Sequence, residues 1–369
     1  ISWMGNITSG NTAIVNIDTM TLVPGVNSFE FITSLPNNQI DTIVYNDTLS
    51  VSVYVCGGSL SGIYTVGGAT SDFKTLEDAM GGLNYCGISG PVVLKFVSGT
   101  YGAISISGNF PGVSATNTVT FTSLAGNADS VIFASTSNAA ALNNTNYLYF
   151  KNVTFDATAG NYGVKMDGLC SNIEFRECNI KANPTTTSNS YVAVIYNGAS
   201  ASASYYITDI KFIKNKISGG YYNMYFYHGG GSVSATYAGK VTIDSNTFSN
   251  AYYSAVYTYC IWYFPSISYN TITNRSSNSD FYGMYIYYYT TVDSLQGNKI
   301  KISNTSSTTY GIYMDQYINN QGWGKAGFLY AVNNEVIITG CTSTAYGIYT
   351  GTATTNNIKA DFLFNSIYI

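Results

Sequence analysis

The sequence predicts an all-β protein in which a parallel β-helix follows a partial β-sandwich. Two short motifs recur along residues 148–369 at a shared interval of about thirty residues, while the segments between them vary in length. Both motifs alternate with the period of two that a β-strand requires, and neither shows a helical period. Residues 1–55 carry a different pattern of short alternating runs. Two domains are therefore predicted, at residues 1–55 and 56–369.

The first motif places an Asn two positions before an apolar anchor, as Asn298 stands before Ile300. Asn suits a corner between strands because it tolerates left-handed backbone, and stacked Asn side chains can bond to one another. The anchors are Phe155, Ile180, Ile217, Phe248, Ile272, Ile300, Val336 and Ile367. The Asn places hold Asn215, Asn246, Asn270, Asn298, Asn334 and Asn365, and Cys178 takes that place once.

The second motif is a Gly or Ala, then an aliphatic residue, then usually a Tyr. Helical repeats keep a constant length because both helices must repack, whereas here only the motifs are constant. Two motifs with one period predict coils of strands in which equivalent residues stack at ~4.8 Å. The aliphatic positions are Val164, Val194, Met224, Val256, Met284, Ile312 and Ile348.

This pattern resembles the right-handed parallel β-helix of the pectate-lyase superfamily, in which an Asn ladder occupies one corner. The resemblance covers residues 62–369. Residues 71–83 (SDFKTLEDAMGGL) have apolar side chains at helical spacing, and Ser71 or Asp72 can serve as the N-cap. The sequence that follows resembles the superfamily's entry into its first coil, which implies a capping helix at about 71–83.

Residues 1–55 contain the runs AIVNI, SFEFI and LSVSVYV, separated by the turn-like PGVN and LPNNQID. This alternation predicts an antiparallel β-sandwich without its first strands. The segment resembles the immunoglobulin-like, cell-adhesion-related modules of bacterial surface proteins. The residues that carry the resemblance are Trp3, Gly5, Leu22, Pro24, Gly25, Asn37, Asp41, Asn46 and Asp47. The sequence begins and ends in segments that are predicted to be strands, so we expect a segment of a longer polypeptide.

Charge is scarce in this chain: 9% of residues are charged, the net charge is −4, and there are 35 Tyr but one His. An acidic balance argues against a nucleic-acid partner. No run of about twenty apolar residues is present, so no transmembrane segment is expected. A surface that relies on hydroxyl and amide groups is typical of secreted proteins.

The six Cys show no metal-binding spacing, so we expect neither a metal nor a cofactor. Cys56 and Cys86 flank the start of the predicted β-helix, and we expect them to be bridged. Cys170 and Cys178 make a weaker candidate pair. Cys260 and Cys341 lie in different coils and are expected to be buried thiols.

Tyrosine is the main predicted surface feature. If each aliphatic residue of the second motif points inward, the next residue points outward. The first outward column is then Lys165, Ile195, Tyr225, Tyr257, Tyr285, Tyr313 and Tyr349. The second is Asp167, Asn197, Tyr227, Tyr259, Tyr287, Asp315 and Gly351. Such a wall could stack on sugar rings or bind a partner protein. The alternative is that the tyrosines only stabilise a long sheet.

A polysaccharide lyase would need carboxylates that hold calcium and a basic residue that removes a proton. The weak candidates are Arg176, Glu177 and Lys165, with Asp156 and Asp167 nearby, although such a cluster is usually solvated surface. A glycoside hydrolase would need paired carboxylates, and no coil places two on one strand. His228, which precedes a Gly run, is expected in a loop.

Five triplets of Asp, then Ser or Thr, then an aliphatic residue resemble the O-glycosylation signal of some Gram-negative bacteria with type IX secretion. Their acceptor residues would be Thr19, Thr42, Thr48, Ser130 and Ser294. The resemblance implies an extracellular location at a bacterial cell surface. Glycans would also help to solubilise a surface with few charges.

These patterns favour a non-catalytic, extracellular structural or adhesive segment of a large bacterial surface protein. Its partners would be glycans, another surface protein, or further modules of the same polypeptide. The alternative is a polysaccharide lyase or glycoside hydrolase of the β-helix type, or its substrate-binding subunit. A groove with three or more acids around an Arg would favour the enzyme, and a neutral Tyr-lined face would favour adhesion.

Overall fold

The computed structural model describes residues 7–8, 10–17, 19–34, 39–40, 45, 47–198, 207–228, 239–259, 262–276, 278–287, 290–315, 328–351 and 359–369. The chain forms two compact units, Ile1–Ser59 and Leu60–Ile369. No helix in the described part of the chain has the length and apolar character needed to cross a membrane.

The described residues of the first unit contain one antiparallel hairpin. Strand β1 (Gly25–Ile32) pairs with β2 (Thr48–Val55) over its full length. The runs SFEFI and LSVSVYV are therefore strands, as predicted. The run AIVNI, at residues 13–17, is not a strand, because none of the described residues pairs with it, and Ile14 is almost fully exposed. The immunoglobulin-like sandwich stays a prediction, and several residues that suggested it lie outside the described residues: Trp3, Gly5, Asn37, Asp41 and Asn46.

The second unit consists almost entirely of short strands. In chain order they are β3 (Leu60–Val66), β4 (Ile88–Phe96), β5 (Gly99–Tyr101), β6 (Ile104–Ser107), β7 (Val119–Ser123), β8 (Val131–Ala134), β9 (Asn138–Asn143), β10 (Asn146–Lys151), β11 (Thr154–Ala157), β12 (Tyr162–Asp167), β13 (Cys170–Arg176), β14 (Asn179–Ala182), β15 (Val192–Gly198), β16 (Ile207–Ile213), β17 (Lys216–Ser218), β18 (Tyr222–His228), β19 (Gly239–Asp244), β20 (Thr247–Ala251), β21 (Ser254–Tyr259), β22 (Trp262–Ser268), β23 (Thr271–Asn274), β24 (Phe281–Tyr287), β25 (Thr290–Gln296), β26 (Lys299–Ser303), β27 (Thr309–Asp315), β28 (Phe328–Val332), β29 (Glu335–Thr339), β30 (Ala345–Thr350), β31 (Lys359–Leu363) and β32 (Ser366–Tyr368).

These strands form three parallel sheets. Sheet 1 has the order β3-β4-β7-β10-β13-β16-β19-β22-β25-β28-β31, sheet 2 the order β5-β8-β11-β14-β17-β20-β23-β26-β29-β32, and sheet 3 the order β6-β9-β12-β15-β18-β21-β24-β27-β30. From β4 onward every third strand joins the same sheet, so each coil of chain contributes one strand to each of three sides. This is a right-handed parallel β-helix, which confirms the predicted fold class.

The register follows the two repeated motifs. Each anchor of the first motif pairs with the anchor of the next coil in sheet 2, from Phe155 to Ile367. Each aliphatic residue of the second motif does the same in sheet 3, from Val164 to Ile348. Most of these side chains are fully buried and form one continuous core. The core is therefore a set of apolar columns along the helix axis.

The predicted Asn ladder is present at the corner between sheets 1 and 2. The Asn246 side-chain oxygen accepts from the backbone N–H of Asn215 at 2.9 Å and from its side-chain amide at 3.0 Å. Asn246 Nδ2 donates to the Phe212 carbonyl at 2.9 Å. The same three contacts repeat in each coil as far as Asn365. The ladder thus satisfies buried backbone groups at every turn.

The backbone at this corner differs from the prediction. The left-handed residue is the one before each Asn, for example Lys214 (φ 57°) and Tyr269 (φ 59°), and the ladder Asn residues themselves have ordinary φ. Asn is therefore needed for the hydrogen bonds of its side chain and not for backbone tolerance. Cys178 can fill a rung because its thiol lies 3.4 Å from the Phe150 carbonyl. The side-chain amide of Asn215 makes the equivalent contact with the Phe175 carbonyl in the next coil.

The predicted capping helix is shorter than 71–83. Helix α1 (Leu76–Gly81) continues into a π-helical turn at Gly82–Cys86. Its buried residues join the core beside β3, at the start of the β-helix, where a cap over the first coil was expected. These residues are Leu76, Ala79 and Leu83.

The helix begins later than predicted because its N-cap is Thr75. The Asp78 N–H donates to Thr75 Oγ1 and the Thr75 N–H donates to the Asp78 carboxylate, both at 3.1 Å, which forms a capping box. Asp72 has another role, since its carboxylate accepts from the backbone N–H of Thr65 at 2.7 Å. Neither Ser71 nor Asp72 is the cap.

Candidate functional site

The outward side of sheet 3 carries the tyrosines of the first predicted column. Tyr225, Tyr257, Tyr285, Tyr313 and Tyr349 are register partners over five adjacent strands. Successive ring centroids are 4.7–5.1 Å apart with interplanar angles of 15–24°. Nearly parallel rings at this separation are offset, so each covers only part of its neighbour's face.

The second predicted column lies beside the first. Tyr227, Tyr259 and Tyr287 pair in register, with centroids 5.0 and 5.6 Å apart, and Asp315 follows them. The two predicted columns are therefore contiguous, as a ligand-binding wall requires. Their role in binding stays a prediction.

A third column was not predicted. It contains Tyr222, Tyr282, Tyr310 and Tyr346, and Ser254 takes its place in β21. Centroids are 4.9 Å apart between Tyr282 and Tyr310 and 4.8 Å apart between Tyr310 and Tyr346. Two of these rings stand edge-to-face against the first column, at 77° where Tyr282 meets Tyr285 and at 90° where Tyr310 meets Tyr313. We define the tyrosine face as Tyr222, Tyr225, Tyr227, Tyr257, Tyr259, Tyr282, Tyr285, Tyr287, Tyr310, Tyr313, Tyr346 and Tyr349.

The third column faces outward because strict alternation fails at one position in each strand. Gly283 and Met284 are consecutive and both buried. A Cβ on Gly283 would lie 2.4 Å from the Gly311 carbonyl oxygen and 2.8 Å from Ile300 Cγ2. This close approach to the sheet 2 anchor explains why the second motif has Gly in this coil. The available sequence signal was a repeated Tyr-x-x-Tyr spacing, at Tyr222/Tyr225, Tyr282/Tyr285, Tyr310/Tyr313 and Tyr346/Tyr349.

The tyrosine face is electrically neutral. Burial, with a smaller effect from the Tyr227 phenol, raises the pKa of Tyr225 to about 12. Burial, and then the charge of Asp315, raises the pKa of Tyr313 to about 12. Burial is also the main cause that raises the pKa of Tyr257 and Tyr285. These four phenols therefore keep their protons at neutral pH and act as hydrogen-bond donors and acceptors.

In the part of the chain that the structure describes, the charges near this face lie at its margins. Asp315 ends the second column, and Asp280 lies within electrostatic reach of the third-column phenols of Tyr282 and Tyr310. Lys165, in the first column two strands before Tyr225, is paired with Asp167 at 2.8 Å.

Arg275 lies at another margin and is already engaged. Its Nη1 donates to the Thr186 carbonyl at 2.8 Å, and its guanidinium lies 5.6 Å from the Tyr252 ring centroid. Burial lowers its pKa. We therefore assign Arg275 to holding the neighbouring turns together.

The candidate catalytic residues lie on different sides of the β-helix. Arg176 is in sheet 1, Asp156 in sheet 2 and Lys165 in sheet 3, while Glu177 occupies a left-handed corner position. The structure does not bring them together, and each is paired locally. The pairs are Arg176 with Glu174, Lys165 with Asp167, Lys151 with Glu177 at 3.7 Å, and Lys181 with Asp156 at 3.9 Å.

Other predicted positions also differ in the structure. His228 is the last residue of β18 and is buried, so its predicted loop location is wrong: the strand extends one pair further than expected, with Gly198 opposite His228. Within the described ranges, no group of three or more His, Cys, Asp or Glu side chains could hold a metal ion.

The predicted glycosylation acceptors differ in accessibility. Thr19 is exposed, and so is Thr48, the first residue of β2. Ser130 is in a 3-10 turn, where its hydroxyl lies 2.6 Å from Ser123 Oγ and donates to the Asn127 carbonyl. Ser294 lies within β25, and Thr42 lies outside the described residues.

The cysteines are in two chemical states. Cys56 and Cys86 are disulfide-bonded. Cys170 and Cys178 are separate buried thiols, so the weaker predicted pair is wrong, and burial raises their pKa to about 11 and about 12. Cys341 is a half-exposed free thiol, not a buried one. Cys260 lies outside the described residues.

Comparison with known proteins yields a distant likeness to solved structures. Two structures of a pectin methylesterase from Aspergillus niger, in deglycosylated and penultimately deglycosylated forms, are each 13% identical to this chain. Both comparisons cover 84% of this chain and 91% of that one, with TM-scores of 0.28 and 0.29. Likeness at this level says nothing about activity. No protein-family model and no curated protein matches the chain.

Proposed function

We propose that the β-helix is a non-catalytic, extracellular segment of a large bacterial surface protein and that it binds glycans along the tyrosine face. The observation that supports this proposal is the three-column array of twelve contiguous tyrosines on one side of the helix. A contiguous aromatic patch of this kind on a soluble domain marks an interaction surface. The array leaves ring edges, part of each ring face and a row of hydroxyls available to a ligand.

A sugar ring matches this surface chemically. It combines an apolar face of C–H groups with a rim of hydroxyls, and tyrosine combines a ring with a hydroxyl that both donates and accepts. The rings are already held by their neighbours in the column, so little side-chain entropy remains to be lost on binding. A pre-ordered array of weak contacts gives useful affinity through repetition.

A binding experiment with matched variants tests the proposal. We expect a panel of soluble polysaccharides, measured by affinity electrophoresis and calorimetry, to include at least one ligand. The double variant Tyr257→Ala and Tyr285→Ala should weaken its binding at least tenfold. The control is Thr247→Ala with Thr271→Ala, because these outward residues lie in the same coils on sheet 2. Unchanged binding by a folded tyrosine variant would contradict the proposal.

The extracellular and adhesive parts of the proposal have separate support. Disulfide-bonded Cys56 and Cys86 suit an oxidising compartment. The exposed Thr19 triplet and the Thr48 triplet agree with O-glycosylation and export by type IX secretion. In the first unit, the β1–β2 hairpin is compatible with an immunoglobulin-like adhesion module. Each coil packs on its neighbours, so the β-helix would act as a stiff spacer between modules.

The lyase or hydrolase alternative has a direct test. The local pairing of Arg176, Glu177 and Lys165 on separate sides does not favour it. We expect no release of unsaturated or reducing sugars from pectin, alginate or host glycans. Turnover that is lost in Arg176→Ala would replace the proposed function with an enzymatic one.

A further inference from the structure

Among the residues that the structure describes, carboxylates rather than available cations border the tyrosine face. Asp280 and Asp315 stand at its edges. Among the described residues at its margins, the cations are occupied: Lys165 by Asp167, and Arg275 by backbone carbonyls. A ligand on this face would therefore meet neutral phenols first and negative charge at the rim.

Anionic sugars need the opposite arrangement. Carboxylate and sulfate groups are recognised by Arg and Lys through charge-assisted hydrogen bonds. On the tyrosine face, a uronate would lose part of its hydration without gaining a cation, which is unfavourable. An uncharged sugar loses only hydroxyl hydration, and the phenol hydroxyls can replace it.

The columns also define a direction. Rings recur at 4.7–5.1 Å along the axis over five strands, a length of roughly 20 Å at the ~4.8 Å spacing of paired strands. Across the strands there are only three columns, and the third-column rings of Tyr282 and Tyr310 are nearly perpendicular to those of the first. Only a ligand that lies along the axis meets the same contact repeatedly.

Building on the proposed glycan-binding function, we infer that the tyrosine face binds a linear, uncharged polysaccharide aligned with the helix axis and discriminates against uronate polymers. The repeated sugars of such a chain would each contact successive rings of the first column, with the third-column rings as a side wall. Asp280 and Asp315 are specificity-determining residues in this arrangement.

The test uses the full chain with two probes at low salt: mixed-linkage β-glucan, which is uncharged, and polygalacturonate, which is anionic. We expect the β-glucan to bind at least tenfold more tightly. Equal or tighter binding of polygalacturonate through the same tyrosines would overturn the inference but leave the proposed function standing. If neither these two probes nor the wider panel of polysaccharides binds, the proposed function itself fails.

A charge-reversal variant tests the role of the rim. The change Asp280→Lys with Asp315→Lys should strengthen binding of polygalacturonate at least fivefold and leave β-glucan binding within twofold. Glu335→Lys is the control, because it changes an exposed carboxylate on sheet 2. A rim variant that behaves like this control would remove Asp280 and Asp315 from the account of specificity.

Discussion

Sheets 2 and 3 are made by the same coils and pair in the same parallel manner, yet their outward sides differ completely. Sheet 3 presents the tyrosine face. In sheet 2 the corresponding outward column is Lys216, Thr247, Thr271, Lys299 and Glu335. If a long parallel sheet needed aromatic ladders for stability, both sheets should have them. The difference supports the proposal that the inward columns maintain the fold and that the tyrosine columns serve an interaction.

The largest expected effect is that of alkaline pH, which ionises the phenols of the tyrosine face. In the folded protein the raised pKa values let Tyr225 and Tyr313 keep their protons up to about pH 12, whereas unfolded phenols lose theirs at about pH 10. The contribution of these two phenols to the free energy of unfolding is therefore complete below about pH 10 and is lost as the pH rises towards 12. We expect phenolate absorbance to rise together with loss of near-ultraviolet circular dichroism in this interval. Tyr225→Phe with Tyr313→Phe should move the midpoint upward, and an unmoved midpoint would contradict the account.

Asn270→Ala should damage the scaffold that both faces share. It removes the acceptor for the Asn246 backbone N–H at 2.9 Å and the donor to the Ile243 carbonyl at 2.8 Å. Buried polar groups left without partners should lower the free energy of unfolding by about 3 kcal/mol. Chemical denaturation measures this loss. Thr271→Ala, at the adjacent exposed position, should cost no more than about 0.5 kcal/mol. Equal costs would mean that the ladder contributes little.

Tyr285→Ala should have a smaller effect on stability. It removes two offset-stacked contacts, at 4.9 and 4.7 Å, and should lower the free energy of unfolding by about 2 kcal/mol. Tyr285→Phe keeps the ring and should be nearly neutral. A loss above about 4 kcal/mol for the Ala variant would mark the column as a structural requirement. The difference between the outward sides of sheets 2 and 3 would then no longer support a binding function.

Cys178→Asn should extend the Asn ladder by one rung. The thiol is a weak donor to the Phe150 carbonyl, and an amide in its place would be a stronger one. We expect a gain of about 1 kcal/mol in the free energy of unfolding. Cys170→Ser, at a buried thiol outside the ladder, should give no gain. A destabilised Cys178→Asn variant would show that this corner lacks room for the amide.

The repeat made the architecture and register predictable. Asn246, Asn270 and Asn298 are stacked because they recur at the same place in each coil, and the same holds for Tyr257 and Tyr285. The local backbone conformation within each strand was harder to predict. Strict alternation concealed the third column, because the packing that turns Tyr282 outward depends on Ile300 from another sheet.

The charged residues were the least predictable part. Asp156, Lys165 and Arg176 are close in sequence, but each lies in a successive strand of one coil. Successive strands belong to different sides of the helix, so these side chains lie apart in space although they are close in sequence. Conversely, the tyrosines that form one surface are about thirty residues apart in the chain.

The most direct test of the central claim is the nuclear magnetic resonance spectrum of protein with isotope-labelled tyrosine rings, titrated with β-glucan oligosaccharides. Signals can be assigned with single Tyr→Phe variants. We predict shifts at Tyr257, Tyr285 and Tyr313 of the tyrosine face and none at Tyr149 and Tyr330, which lie on the outward side of sheet 1. Shifts at Tyr149 or Tyr330 with none on sheet 3 would contradict the account.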